Sequence, residues 1–527
     1  MITLQLNRTP AIALIPSHPS RLMDWNSNPV PPVQFDHPSP PKKKRVHWDD
    51  DLNDPTAKPA KASDIDRLCA LYAYLDGEGR EDDKDGYQRR YIKDIIDNQR
   101  LYPILEVVCS DADEWSTRHS YLTGKPASVT RCPTRIGRAT KCYFAYDVDR
   151  DRLVFMKEYC STPRLSAGFQ PYWPGVMLED LNASSPKDQK HMNEEHLRQI
   201  SGGAIQEVPK ARFLHRIVTD RIGRPLETYK DQRELIICLW NAFEAHREAW
   251  GKAGILHGDV SVSSIMIDVR TGKGFLNDWD MCKYRDELEK GATQHARSGT
   301  WDTMSAALLK FSRKPNQLSD DLESFVHIAT LMGLRFHVHD MSEMTTINGK
   351  VTIDHKKLGE ETRLAAHYKA VYSQSNLVQG MWEGGRQKFY RLRLEDPGVE
   401  FEYPEDPLQL LITKFYKLFG PLYNNLDVKR YQTSYGHVHK KAGPTNRIRN
   451  PADIGIATEI WSDSVSAIPG PPPQSQTGTF GLEELEHSHF NHIWGFFGRE
   501  DIEWPTDDKT IDQLQGAVGI DPRCRKR

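Results

Sequence analysis

Apolar residues follow three regimes along this chain. Residues 1–60 carry several prolines and almost no periodic apolar pattern, which predicts a disordered tail. Between 61 and 110 apolar positions recur at helical spacing, first Ile65, Leu68, Leu71 and Tyr72, then Tyr91, Ile92, Ile95 and Ile96. A helical N-terminal extension is expected there. The pattern then changes to strands. Cys142–Val148 and Leu153–Met156 are apolar runs joined by the polar turn Asp149–Asp151, and read as a hairpin. Residues 161–193 are polar and irregular, an expected insertion.

From 231 the helical period returns. Asp231–Trp250 sets Leu235, Leu239, Ala242, Phe243, His246 and Trp250 on one face. Asp321–Leu334 is apolar nearly all round, so it predicts a buried helix. Leu408, Leu411, Phe415, Leu418, Phe419 and Leu422 mark a further amphipathic helix. After 440 the periodicity stops and Pro469-Gly-Pro-Pro-Pro473 marks a linker, so 431–527 are expected to form a largely irregular tail. Strands over 111–230 followed by helices over 231–430 give an α+β, two-lobe arrangement with disordered ends.

Composition narrows the functional classes. Over 527 residues, 38% are hydrophobic and the mean hydropathy is −0.64, which fits one core with solvated tails. Lysine plus arginine is 70 against 73 acidic residues, so no basic field points to nucleic acid. No apolar run approaches the ~20 residues of a membrane helix, and Ala11–Ile15 is stopped by Pro16 before it could act as a secretory segment. The eight cysteines include no Cys-x-x-Cys pair and read as reduced intracellular thiols. His337-Val-His339 and His487-Ser-His489 with His492 lack cysteine or acidic partners, so they are expected to be surface histidines, not metal ligands.

Candidate chemistry concentrates in Ile255-Leu-His257-Gly258-Asp259-Val-Ser261-Val-Ser-Ser264-Ile265-Met-Ile267, followed by Gly274-Phe-Leu-Asn-Asp278-Trp279-Asp280. An apolar pair, a His-x-Asp loop, a short strand, a turn and a second strand ending in Asp form one hairpin-like unit. It can turn Asp259 and Asp278 to a common cleft. Phosphoryl transfer from a nucleotide uses such a pair: one carboxylate orients the attacking hydroxyl, the other holds Mg²⁺ on the phosphates.

This segment resembles the catalytic and metal-binding loops of the protein kinase-like fold. With Ser298-Gly299-Thr300-Trp301-Asp-Thr-Met304-Ser305 and Asp320-Asp321-Leu322-Glu323-Ser324-Phe325, it resembles the fungal-type protein kinase family over roughly residues 100–430. The resemblance implies an ATP- and Mg²⁺-dependent kinase that moves the γ-phosphoryl group to Ser or Thr of a protein substrate. It makes Asp259 the catalytic base and Asp278 a metal ligand. Lys157 would meet the α/β-phosphates, with Glu194 as its helix partner in preference to Glu195. The turn Ile136–Thr140, with Gly137, would cover the phosphates. Asp321 would brace the catalytic loop from the buried helix, or cap that helix, or both.

Several positions depart from the general kinase pattern. The asparagine that ligates a second Mg²⁺ is Ser264, a shorter ligand that would reach metal through water. The lysine two past the catalytic Asp is Ser261, the glycine of Asp-Phe-Gly is Asp280, and the glutamate of Ala-Pro-Glu has no counterpart in Ser305-Ala-Ala-Leu308. Gly258 replaces an arginine that reads a loop phosphate, so control by loop phosphorylation is not expected. Two alternatives stay open: a catalytically impaired kinase-fold scaffold, and a small-molecule phosphotransferase, whose His-Gly-Asp loop is similar.

A second motif, Pro41-Lys42-Lys43-Lys44-Arg45-Val46-His47-Trp48, lies in the N-terminal tail. Its four cations resemble a signal for a nuclear import receptor, which implies a nuclear or nucleo-cytoplasmic protein. Val46 and Trp48 resemble a docking motif for type-1 protein phosphatase.

Overall fold

The computed structural model describes residues 57–77, 86–110, 118–130, 140–161, 213–290, 299–347, 350–354, 357–358, 362–378, 381–401, 406–436, 480–499 and 501–515. Gly137, Glu194, Glu195, Lys42–Arg45, Val46, Trp48 and nearly all of the expected insertion lie outside them.

Strands β1 (Ala57–Pro59), β2 (Leu105–Ser110), β3 (Arg118–Thr123), β4 (Ser128–Thr130), β5 (Thr140–Asp147), β6 (Arg152–Ser161) and β7 (Phe213–Thr219) form one antiparallel sheet. Its order is β1-β2-β3-β5-β6-β7, with β4 also on β5. The expected hairpin is β5–β6, in a register that sets Lys157 between Cys142 and Ile217. Alternation of side chains gives the sheet two apolar faces. Val107, Tyr121, Ala145, Val154, Met156 and Val218 line one. On the other, Leu122, Tyr146 and Leu153 meet Leu68, Ile92 and Ile95 of helices α1 (Ala62–Leu75) and α2 (Tyr87–Asp97). The region 61–110 is thus less helical than its pattern suggests: two helices are followed by β2, which draws the extension into the sheet.

Strand β8 (Gly223–Pro225) leads into helix α3 (Gln232–Glu248), started by the Asp231 carboxylate, which accepts from Glu234 N–H at 2.8 Å. Then come β9 (Ile255–Leu256), β10 (Ile265–Asp268), β11 (Gly274–Leu276) and β12 (Lys283–Tyr284). β10 pairs with both β8 and β11, and β9 with β12. A Cβ on Gly274 would lie 2.3–2.7 Å from the backbone of Cys238, so only glycine lets β11 lie this close to α3.

Among the described residues the further α-helices are α4 (Ala306–Lys310), α5 (Leu318–Phe336), α6 (Arg363–Tyr368), α7 (Arg386–Leu394), α8 (Pro407–Asn424), α9 (Val428–Tyr435) and α10 (Asn491–Phe497). Helix α5 is buried along almost its whole length, as its apolar pattern predicts, and packs against α3 and α8. Among the described residues no helix is long and apolar enough to cross a membrane.

Two expectations about surfaces need correction. Residues 480–515 are not a solvated tail, because Leu482, Leu485, Phe490, Ile493, Trp494, Phe497 and Leu514 are buried in the helical core. His337, His339 and His487 are likewise buried, not surface residues. Each has a polar partner: Tyr229 OH for His337, Leu334 O for His339 and His246 for His487. Such pairing is what allows an imidazole to stay in a core.

Candidate functional site

Lys157 of β6 and Asp278 after β11 stand 121 positions apart in sequence, yet Nζ and Oδ1 are 2.5 Å apart. The Lys157 side chain is 11% exposed and that of Asp278 is 52% exposed, so the pair has a buried and an open end. Asp278 has φ +64°, a left-handed conformation that is uncommon for side-chain-bearing residues but more accessible to Asp than to most.

The His-Gly-Asp loop is tied down residue by residue. His257 is fully buried and accepts Asp259 N–H on Nδ1 at 3.3 Å, so Nε2 carries the proton and donates to Asn277 O at 2.9 Å. That bond joins the loop to the strand end that presents Asp278, and Trp279 packs on the imidazole at 4.6 Å. Burial holds the His257 pKa below its ordinary value. Gly258 has φ +80°, and a Cβ there would stand 2.9 Å from Met281 O. Glycine at this position answers the backbone geometry, whatever else an arginine would have done. Gly258 N–H donates to Asp321 Oδ2 at 2.9 Å. Asp321 is therefore a brace and not a cap; Gln317 and Asp320 start helix α5.

Asp259 accepts Thr300 N–H at 2.9 Å on Oδ1. Its pKa is raised, chiefly by burial; the hydrogen bonds from Thr300 oppose that, and the charges of Asp278 and Asp321 add to it. Thr303, also buried, donates to Val260 O at 3.0 Å and so locks the 300–304 segment to the loop. Ser261 and Ser264 face each other across a short turn. Ser264 Oγ accepts Ser261 N–H at 2.8 Å and donates to Ser261 O at 3.0 Å. Its hydroxyl is thus engaged with local backbone.

Anchors for the 300–309 segment come from Lys388, whose sequence pattern carries no signal, and from Glu323 and Asp320 of helix α5. Lys388 of α7 is 1% exposed and donates to Asp302 O at 2.7 Å, Met304 O at 2.8 Å and Trp301 O at 3.4 Å. Burial pulls its pKa down to about 7, against the pull of Asp302 and Glu323. Glu323 accepts Ala306 N–H at 2.7 Å, and Ser305 Oγ donates to Asp320 at 2.6 Å. These contacts anchor the segment although the usual glutamate is missing from it. Glu323 and Asp320 could have been found in the quoted Asp-Asp-Leu-Glu-Ser-Phe motif. Lys388 sits in Arg-Gln-Lys, which reads as a solvated face.

A buried lysine paired to an open aspartate, with a second aspartate held by the Thr300 N–H, is compatible with a kinase-type phosphotransferase. Residues 147–332 match the family model for fungal protein kinase, which supports protein kinase as the class of activity. That match runs from the end of β5 to within α5, a narrower stretch than the residues 100–430 of the resemblance. No curated protein matches the chain.

Proposed function

We propose that this chain is an ATP-dependent protein kinase that phosphorylates Ser or Thr hydroxyls, with two lobes meeting at the Lys157–Asp278 pair. That pair carries the reading, because it joins a sheet residue and a loop residue into one charged site. Asp259 accepts the proton of the attacking hydroxyl, and the Thr300 amide fixes the carboxylate orientation that this requires. Lys157 places a nearly buried ammonium against nucleotide phosphates. Asp278, half open, fits Mg²⁺, which takes one or two protein carboxylates with phosphate and water rather than an all-protein cage. The bound ion would neutralise phosphate charge. The anchored 300–309 segment suits a polypeptide acceptor better than a small molecule, since it forms a fixed wall beside Asp259.

A scaffold without turnover is the second reading, favoured by the engagement of Ser264 Oγ with Ser261. We also propose nuclear import through Lys42–Arg45 and phosphatase docking through Val46 and Trp48; a tail with all four cations changed to alanine should then stay cytoplasmic. The deciding experiment is transfer of labelled γ-phosphate to a mixed protein acceptor, followed by phosphoamino-acid analysis. Label on Ser and Thr supports the kinase reading. ATP binding without transfer favours the scaffold.

A further inference from the structure

Residues 480–515 touch the site's supports at two places. At one end His487, 5% exposed, packs its ring edge-on to Phe243 at 5.3 Å and meets His246 Nδ1 through Nε2 at 2.8 Å. His246 Nε2 in turn meets Asp321 Oδ2 at 3.0 Å, the same oxygen that accepts Gly258 N–H. At the other end Lys509 donates to Glu227 O at 2.5 Å and Tyr229 O at 2.6 Å, in the connection between β8 and α3. Gln513 donates to His337 O at 2.6 Å and Asp512 pairs with Arg335 at 2.7 Å, both at the end of α5.

The direction of the His487 chain follows from its acceptor. Asp321 as a carboxylate only accepts, so His246 must carry its proton on Nε2. In the tautomer with the proton on Nε2 alone, Nδ1 is an acceptor and His487 Nε2 donates to it. Burial, with His246 and Arg247 beside it, pushes the His487 pKa down to about 3, which is consistent with a neutral donor. Two donors thus point along the chain toward Asp321 Oδ2, where the Gly258 amide meets them from the catalytic-loop side.

We propose that His487 is a positioning residue for phosphoryl transfer: it holds the ring of His246 in place and, through Asp321, the Gly258 amide and the loop that carries Asp259. The C-terminal segment is then a strap that completes the site in cis. This rests on the reading of Asp259 as the base, so its test needs a readout that does not depend on turnover.

Full-length wild type, His487→Gln and His487→Leu would be compared by steady-state transfer, by thermal melting and by hydrogen exchange of the Gly258 amide. Glutamine keeps a donor and leucine does not. Loss of one buried hydrogen bond corresponds to about tenfold in rate, so the leucine protein should lose about that in kcat, keep its ATP KM, and exchange the Gly258 amide faster. The glutamine protein should recover most of both. Equal impairment of the two variants, a KM change in place of a kcat change, or wild-type exchange in the leucine protein would overturn the inference. Should the leucine protein fail to fold, His487→Met takes its place; failure of both makes His487 a core residue and not a positioning one. Absence of transfer by wild type would sink the kinase reading alone, and exchange at Gly258 would still decide the role of His487.

Discussion

Asp259 and Asp278 belong to neighbouring loops and are held in opposite ways. The loop of Asp259 is fastened by backbone: Gly258 N–H to Asp321, Val260 O to Thr303, Asp259 Oδ1 to the Thr300 amide. Asp278 sits at a left-handed backbone position with its carboxylate half open, and its ion pair reaches across to the sheet. A group that must meet a hydroxyl in one geometry gains from being rigid before substrate arrives. A group that must exchange a lysine for metal and phosphate gains from being open. The difference between the two loops is what the proposed division of labour requires.

The largest effect on the fastened side should come from Lys388→Met. Three carbonyls of the 301–304 segment would lose a donor, at a cost of about 1–3 kcal/mol. Thermal unfolding should fall accordingly, and the KM for a protein acceptor should rise more than that for ATP. An unchanged acceptor KM would detach Lys388 from the site. Next, Gly258→Ala places a Cβ against Met281 O at φ +80°. The left-handed conformation alone costs about 1–2 kcal/mol, and turnover should fall while ATP affinity holds. Equal losses in both would mean that the two loops move as one. The smallest effect is on pH. Because burial raises the Asp259 pKa, the base takes up its proton sooner as pH falls, so the acid limb of kcat/KM should lie above the ordinary Asp value of about 3.9. A profile with its acid midpoint at or below that value would argue against Asp259 as the base.

The fastened and open sides also differ in how far they could be read from sequence. Helix α3, the β5–β6 hairpin and the buried helix α5 followed from periodicity, because local pattern and final environment agree there. Lys157, Asp259 and Asp278 followed from a short motif and a resemblance, and the structure brings Lys157 to Asp278. Of the supports, Asp321 followed from the same resemblance, whereas Lys388 and His487 did not. Lys388 and His487 are polar residues whose partners are 84 or more positions away, so nothing local distinguishes them from solvated ones. Residues 480–515 were hidden for a related reason. Their elements are one short helix and single 3₁₀ turns, too brief to show a period, and they lie beyond a proline-rich stretch. The hydrogen bonds of Ser264 Oγ within its own turn likewise carry no sign in the motif.

One measurement tests the division between the loops most directly: Mg²⁺-dependent ATP binding and phosphoryl transfer, taken on the same samples of wild type, Asp259→Asn and Asp278→Ala. Removing a general base typically costs about 10²–10⁴ in rate, so Asp259→Asn should bind Mg·ATP as wild type does and lose transfer by that order. Asp278→Ala should lose both. Full transfer by Asp259→Asn, or unchanged Mg²⁺-dependent binding in Asp278→Ala, would contradict the assignment of chemistry to the fastened loop and of the nucleotide to the open one.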